Sequence, residues 1–467
     1  MVELYKTRRS TGVEKAAFRK FEWASKPGQN VWTVEQRQII SSSAVHTVVF
    51  AAPGSGKTTV LTGRMAHLIE GRQAAAKSMM AMTFTRQSAL DMKRRLKTLS
   101  RLPATTVEAI QMGTFHAQIF RMMLMSTPDI PVLLSRREQY GFMSSALRSA
   151  GQARQKVEDW LNHLARVKAQ WPSLPQKGSV KRVIDNYESL KKKHRRWDFD
   201  DILVAYCETF IENHQPLPIF LTHLLVDEYQ DTNPIQEVIV KHLSDTLSIP
   251  VFAVGDDDQA IYGFRGATPD GLLHFTDTFT KASSFELACN FRSDRSVIHH
   301  ASTLIGHNRQ RVVKHFTVAS EIQGEYTLHQ WDDEVQESYG VAQLILTHLQ
   351  QRGSTWTVAV LARTRKQLYW VWMLLQSQHL AHVQLRTFHD AKGKEWDEVH
   401  LIGCIENNPY LAQSREQSRD IEEERRLFYV GMTRARHVLT IHWPLRVRSR
   451  RAKPSRFVEE ARSLSLT

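Results

Sequence analysis

HLLVDEYQDTNPIQ, residues 223–236, is the stretch on which the reading of the whole chain turns. Leu224, Leu225 and Val226 form an apolar run of the kind that makes a strand buried on both faces. Two adjacent carboxylates, Asp227 and Glu228, follow at its C-terminal end. In open α/β sheets, that edge is where ligands bind. Adjacent acids there can divide the work, one holding a magnesium ion and the other polarising a water. An acidic loop after a core strand would look the same by itself, so the reading depends on whether a phosphate cradle lies elsewhere in the chain.

That cradle is AAPGSGKT, residues 51–58, between the strand-like HTVVFAA (46–52) and a helix opening at Lys57. Gly54 and Gly56 let backbone N–H groups approach phosphates, and the helix N-terminus adds positive potential. Ala52, Pro53 and Ser55 complete the loop. Lys57 would reach the β- and γ-phosphates, and Thr58 would hold magnesium. Paired with this loop, Asp227 becomes the second metal ligand and Glu228 the base that aligns and deprotonates the attacking water. VGDDDQAIYGFRG (254–266) follows the next strand. There Gln259 is placed to sense a γ-phosphate, and Phe264, beside Arg265, offers a stacking platform near a phosphate contact. NFRS (290–293) and YVGMTRAR (429–436) supply arginines able to offset charge on a transferring phosphoryl group, although either by itself reads more simply as a surface salt-bridge partner.

Composition agrees with a nucleic-acid partner. The 467 residues carry 62 Lys and Arg against 48 Asp and Glu, a net charge of +14, which calls for a polyanion. The excess is uneven: Ala117–Trp197 holds sixteen basic and six acidic residues, and Pro444–Thr467 seven and two. In the first of these segments Tyr140, Trp160, Trp171, Tyr187 and Trp197 are interleaved with the cations; some must be core, and any of the others is a candidate nucleic-acid contact. No apolar run approaches membrane-spanning length, and the N-terminus lacks a signal-peptide core, so a cytoplasmic protein is expected. Cys207, Cys289 and Cys404 are too dispersed for a metal cluster.

Strand–helix alternation from Trp32 predicts a first parallel-sheet domain (31–116 and 198–282) interrupted by basic amphipathic helices (117–197). A second series begins near Ser283 with SSFELAC and runs to residue 443. A loosely ordered basic arm (1–30) and a basic tail (444–467) flank them. Little sequence remains after HVLTIHW, so no nuclease domain is expected on this chain.

Taken in order, WTVEQRQII, AAPGSGKT, MTFTRQSALDMKRRL, GTFHAQIF, DFDDIL, LLVDEYQDTNPIQ, VGDDDQAIYGFRGA, LACNFRS, VAVLARTRKQL, RTFHDAKGKEWDEVHLIG and EEERRLFYVGMTRAR resemble the UvrD/Rep/PcrA family of superfamily 1 DNA helicases, over about residues 32–442. The resemblance implies an α/β fold of two RecA-like parallel-sheet domains, a P-loop NTPase with a helical insertion in the first domain. It implies ATP and Mg2+ as cofactors, and 3′→5′ movement on single-stranded DNA coupled to strand separation. Tailed or forked duplexes would be substrates, and repair, replication or recombination the setting. Gln36 would recognise adenine and Phe291 stack on it. Arg292 and Arg434 look like the arginine fingers, and Glu395 would contact the nucleotide. Phe84, His116, Phe264 and His389 match positions that face single-stranded DNA.

Two departures stand out. The family's large second insertion is replaced by a connection of about 379–383, which points to a compact motor core relying on a protein partner, a nuclease or a repair or replication factor. Thr59 stands where relatives often have an arginine near the adenine. The rival reading, from a different class, is a DNA-stimulated ATPase sensor subunit that gates a partner nuclease, as in antiviral defence, without processive unwinding.

Overall fold

Apolar runs of four to six residues, too short for helices and buried on both faces, build the interior of the first sheet. The strands are β1 (His46–Ala51), β2 (Met79–Thr83), β3 (Gln111–Thr114), β4 (His223–Val226), β5 (Val251–Gly255) and β6 (Ala282–Leu287). In this computed structural model, which describes residues 32–462 except 128, 354, 379 and 411–420, they order as β3-β2-β4-β5-β1-β6. The chain divides into two units. The first holds residues up to 50, 57–255 and 262–287, and the second 51–56, 256–261 and 288 onward.

Pairing among β3, β2, β4, β5 and β1 is parallel, with Ala81 opposite both Leu225 and Met112, and Phe252 opposite both Leu225 and Thr47. Every strand of that set therefore sends its C-terminal end to the same edge. The segments leaving that edge are the glycine-rich loop after β1, Asp227-Glu228 after β4, and Asp256–Gln259 after β5. Helix starts are fixed locally. Helix α1 (Val34–Ile40) opens on a reciprocal capping box, Thr33 Oγ1 accepting from Gln36 N and Gln36 Oε1 from Thr33 N, both at 3.1 Å. Helix α2 (Lys57–Glu70) follows the loop, and α3 (Arg86–Leu99) follows β2 with Thr85 as its cap. The quoted stretch ends the same way, with Asn233 and Gln236 as the box and Pro234 at the first position of Pro234–Leu247.

Helix α4 (Phe115–Ser126) continues straight from β3 with Thr114 as its cap and leads into the basic helical insertion. It is a three-helix bundle, α5 (Arg136–Ser149), α6 (Val157–Lys168) and α7 (Gly178–Lys193), with its own core of Leu134, Met143, Leu147, Leu164, Val183 and Tyr187. Tyr187 is fully buried and Trp160 packs against that core; Tyr140, Trp171 and Trp197 are half-buried. Tyr187 and Trp160 are thus spent on packing, the core role expected for some of these aromatics. Two buried lysines anchor the bundle. Lys168 and Lys191 both bind Asp198 and Asp201, at 2.5–3.0 Å.

The strand at 282–287, which its sequence assigns to the second series, instead lies on the β1 edge of the first sheet. The second unit has its own parallel sheet. Its strands are β7 (Glu325–Trp331), β8 (Val358–Ala362), β9 (Gln384–Thr387), β10 (Trp396–Ile402) and β11 (Ala435–Pro444), ordered β7-β11-β10-β8-β9. Two RecA-like sheets result, as expected. Around the second pack α8 (Arg295–Ile305), α9 (Glu334–Arg352), α10 (Tyr369–Ser377) and α11 (Ile421–Met432). The basic tail is folded as far as residue 462. Helix α12 (Arg456–Arg462) buries Val458 and Ala461, the Ala461 carbonyl lies 2.9 Å from His300 Nδ1, and Glu460 pairs with Arg425 at 2.7 Å. The N-terminal arm lies outside the described residues.

A buried polar chain ties β7, β10 and β11 together. Trp331 Nε1 donates to His442 Nδ1 (3.1 Å), which leaves His442 Nε2 to donate to His400 Nδ1 (3.0 Å) and His400 Nε2 to Glu398 (2.7 Å). His348 and Trp356 also donate to Glu398, at 2.7 and 2.8 Å. Burial by itself would raise the Glu398 carboxyl, but these donors hold it down at about 2. Because the folded value is depressed, this stabilisation is full above the ordinary carboxylate range and is lost as pH falls towards 2. Glu398→Gln is expected to cost about 2 kcal/mol at neutral pH. In urea titrations the deficit should shrink steadily below about pH 4.5.

Candidate nucleotide and nucleic-acid sites

In the first unit, β4 runs its pairing one residue past the strand, Asp227 N donating to Met82 O at 2.9 Å. Glu228 then adopts a left-handed conformation, φ 53°, costly for a residue with a side chain. That turn sets the two carboxylates apart. Asp227 is buried and accepts from Glu228 N (3.1 Å), while Glu228 accepts from Gln230 Nε2 (2.7 Å). Burial first, and the Glu228 charge second, push the Asp227 carboxyl up to about 7, against the pull of Lys57 and Arg95. A buried carboxylate that resists ionisation beside a second one is stabilised by a cation, so the chemistry at Asp227 fits a divalent metal. Arg95 donates to Thr59 Oγ1 at 2.8 Å. A guanidinium from α3 thus stands at the position where the sequence departs from the family pattern. Gln36 is buried with its carbonyl oxygen held in the capping box.

The same unit gathers aromatic side chains. Phe84 stacks on Tyr262 with centroids 4.6 Å apart, Tyr262 lies 6.0 Å from Phe264, and the Arg265 guanidinium covers both Tyr262 and Phe264 at 5.7 and 5.5 Å. Phe264 is 40% exposed. His116 meets Phe199 edge-on at 5.6 Å. Burial, then Arg265, lower His116 to about 4, so at neutral pH it offers an uncharged ring. Sequence reasoning passed over Phe199, although its exposure beside His116 puts it on this face.

In the second unit the loop 51–56 is held by one side chain. Asn290 Nδ2 donates to Pro53 O, and Asn290 Oδ1 accepts from Arg292 N (2.9 Å) and Ser293 N (2.7 Å). Phe291 N donates to Gly54 O at 3.0 Å, and the Phe291 ring is half exposed. Gly54 (φ 68°) and Gly56 (φ 89°) are both left-handed, and a Cβ on Gly54 would sit 2.6 Å from Arg292 Cβ. Ser55 Oγ closes the loop on Ala52 O at 2.7 Å.

The second unit also contains the remaining candidates. Arg292 Nε donates to Glu395 at 2.5 Å, and Arg436 binds the other Glu395 oxygen at 2.6 Å. Burial would raise the Glu395 carboxyl, but these two cations hold it below its ordinary value. Arg434 is buried; its Nε donates to Val430 O (2.8 Å) and its Nη2 to Gln259 Oε1 (3.3 Å). Gln259 also donates to Asp256. Asp256, Asp257 and Asp258 converge on the buried Lys314 at 2.6–2.8 Å, with Arg311 forked on Asp258. Lys314 and Arg311 thus offset much of the charge of this acid cluster, and both lie in a stretch with no motif to reveal them. His389 is the second residue of the helical turn Phe388–Ala391 after β9, lowered to about 4 by burial and Arg363.

Comparison with known proteins follows this geometry. The UvrD/REP helicase N-terminal domain matches residues 32–280, and the UvrD-like helicase C-terminal domain matches residues 373–445. The chain belongs to the UvrD/REP helicase family. Among relatives, YjcD of Bacillus subtilis is 31% identical over 71% of this chain and 46% of its own length. The ATP-dependent DNA helicase PcrA of Staphylococcus epidermidis is 27% identical over 71% and 48%, and that of Staphylococcus aureus 27% over 72% and 48%. The chain thus spans about half the length of the curated relatives it matches. Among the described residues, no helix is long and apolar enough to cross a membrane.

Asn290→Ala removes a buried donor and acceptor at once and strands two backbone N–H groups. A loss of about 2–3 kcal/mol in urea unfolding is expected, together with weaker binding of a fluorescent ATP analogue, because the Gly54 approach loosens.

Proposed function

We propose that this chain is an ATP-driven motor on single-stranded DNA, moving 3′→5′ and coupling hydrolysis to strand separation. The observation that carries the reading is the match to both halves of the family in one chain that keeps a left-handed glycine loop and paired carboxylates at the end of β4. The polarity is the one the family resemblance implies. Names of relatives such as PcrA, an ATP-dependent DNA helicase, support the substrate pair.

In this reading residues 52–59 bind the triphosphate, and Lys57 neutralises its β- and γ-phosphates. Thr58 and Asp227 would hold Mg2+, which supplies positive charge to the phosphate oxygens. Glu228 orients and deprotonates the attacking water, its carboxylate steered by Gln230. Arg292 and Arg434 offset charge on the transferring group, and Gln259, hydrogen-bonded to Arg434, links the γ-phosphate to that arginine. Gln36, Phe291 and Glu395 contribute to the base and ribose side. Phe84, His116, Phe264 and His389 hold the single strand by ring stacking and N–H donation, because both histidines are neutral at physiological pH.

ATPase rates with and without single-stranded DNA, and unwinding of matched 3′- and 5′-tailed duplexes, test this. Strong stimulation with unwinding from the 3′ tail is expected, and unwinding from the 5′ tail alone would overturn the polarity. Lys57→Ala should abolish turnover. Glu228→Gln should lower it about a hundredfold or more while ATP still binds; rapid turnover in that variant removes Glu228 as the base. Phe264→Ala should reduce DNA-stimulated hydrolysis more than basal hydrolysis, since it removes a contact of about 1–3 kcal/mol. An equal fall in both rates would assign Phe264 to packing.

A further inference from the structure

Helix α10 carries a concentration of exposed aromatic surface. Its inner face, Val371 and Leu375, is buried in the core of the second unit with Val341, Ile345 and Val358. Its outer face carries Tyr369, Trp370, Trp372 and Met373, which remain 51%, 43%, 46% and 45% exposed. Tyr369 lies 5.4 Å from Trp370, edge-on, and 6.2 Å from Trp372. A helix needs only its inner stripe to fold, so two tryptophans and a tyrosine left in water mark a surface that meets something.

Charge indicates what that is. Arg365 and Lys366 are exposed on the turn immediately before Tyr369, the Arg365 side chain at 85%. No Asp or Glu occurs anywhere between Glu337 and Asp390, in a chain where charged residues make up 24%. The patch therefore combines flat rings with positive charge and contains no carboxylate of its own. A polyanion with aromatic bases satisfies both features at once: phosphates meet the cations and bases stack on the rings. Arg365 Nη2 also lies 3.4 Å from Asp390, next to His389, so the patch continues from a segment already proposed to meet DNA.

We propose that the outer face of α10, with Arg365 and Lys366, is an additional binding surface for single-stranded nucleic acid. The proposal rests on the reading that the chain tracks along a single strand, and it lengthens the site on the second unit beyond His389. Tyr369, Trp370 and Trp372 provide sequence-tolerant stacking, because every base presents a π-face. Arg365 and Lys366 provide the salt-dependent part.

The test uses the full chain and a fluorescein-labelled oligothymidylate, followed by anisotropy over a range of salt concentrations. Trp370→Ala and Trp372→Ala are each expected to weaken binding about tenfold, with Trp→Phe at either position restoring most of it. The salt slope should be unchanged in the tryptophan variants and lower by about one in Arg365→Ala. ATPase activity without DNA should match the wild type throughout. Wild-type affinity in the alanine variants, or phenylalanine variants as weak as the alanines, would overturn the proposal and leave the face to a protein partner. Failure of the wild-type chain to bind any single strand would instead overturn the motor reading, and this surface with it.

Discussion

Strands buried on both faces cannot place polar groups along their length. That constraint organises both units. In the first sheet the interior strands are almost continuous apolar runs, so the charged and hydrogen-bonding residues are displaced to where the strands end. Parallel pairing puts those ends on one edge, and the glycine loop, the Asp227-Glu228 pair and the Asp256–Gln259 segment all leave from it. The second sheet uses its opposite ends in a related way. Glu395 immediately precedes β10 and Arg434 immediately precedes β11, so strand pairing carries the acid and the arginine into one neighbourhood.

Several ionisable groups that enter the interior are matched by partners. Lys168 and Lys191 enter with Asp198 and Asp201, Lys314 with three consecutive aspartates, and Glu398 with three N–H donors. Such groups add less to net stability than their number suggests, because desolvation offsets much of the attraction. Their effect is geometric. Lys314 gathers the aspartates, one of which holds Gln259 towards Arg434. Lys168 and Lys191 join two insertion helices to the segment leading into residues 201–206. Asp227 differs in lying beside another carboxylate, and its raised affinity for a proton reflects burial first and that neighbour second.

Much of this was legible because it is written locally. The glycine loop, the apolar run ending in two acids, and the caps at Thr33, Thr85, Thr114 and Asn233 all act within a few residues of chain. The expectations that changed or stood open depended on partners distant in sequence. The strand at 282–287 carries alternation that suits either sheet, and only pairing with β1 assigns it to the first. Tyr187 and Trp160 look the same in sequence whether they face nucleic acid or a three-helix core. The tail beyond residue 444 looks like a solvated cationic run until Val458 and Ala461 are seen to be buried and Glu460 to pair with Arg425.

The amino-acid sequence by itself determined two parallel α/β sheets, the glycine-rich loop after β1, and the membership of this chain in the UvrD/REP helicases. These follow from hydrophobic period, from turn chemistry and from motif order, which are properties of neighbouring residues. The tertiary structure alone decided that Asn290 holds the loop, that Arg95 stands beside Thr59, that Lys314 draws three aspartates together, and that the aromatic rings of α10 face water. Each depends on which surfaces desolvate against each other, and no local pattern encodes that choice.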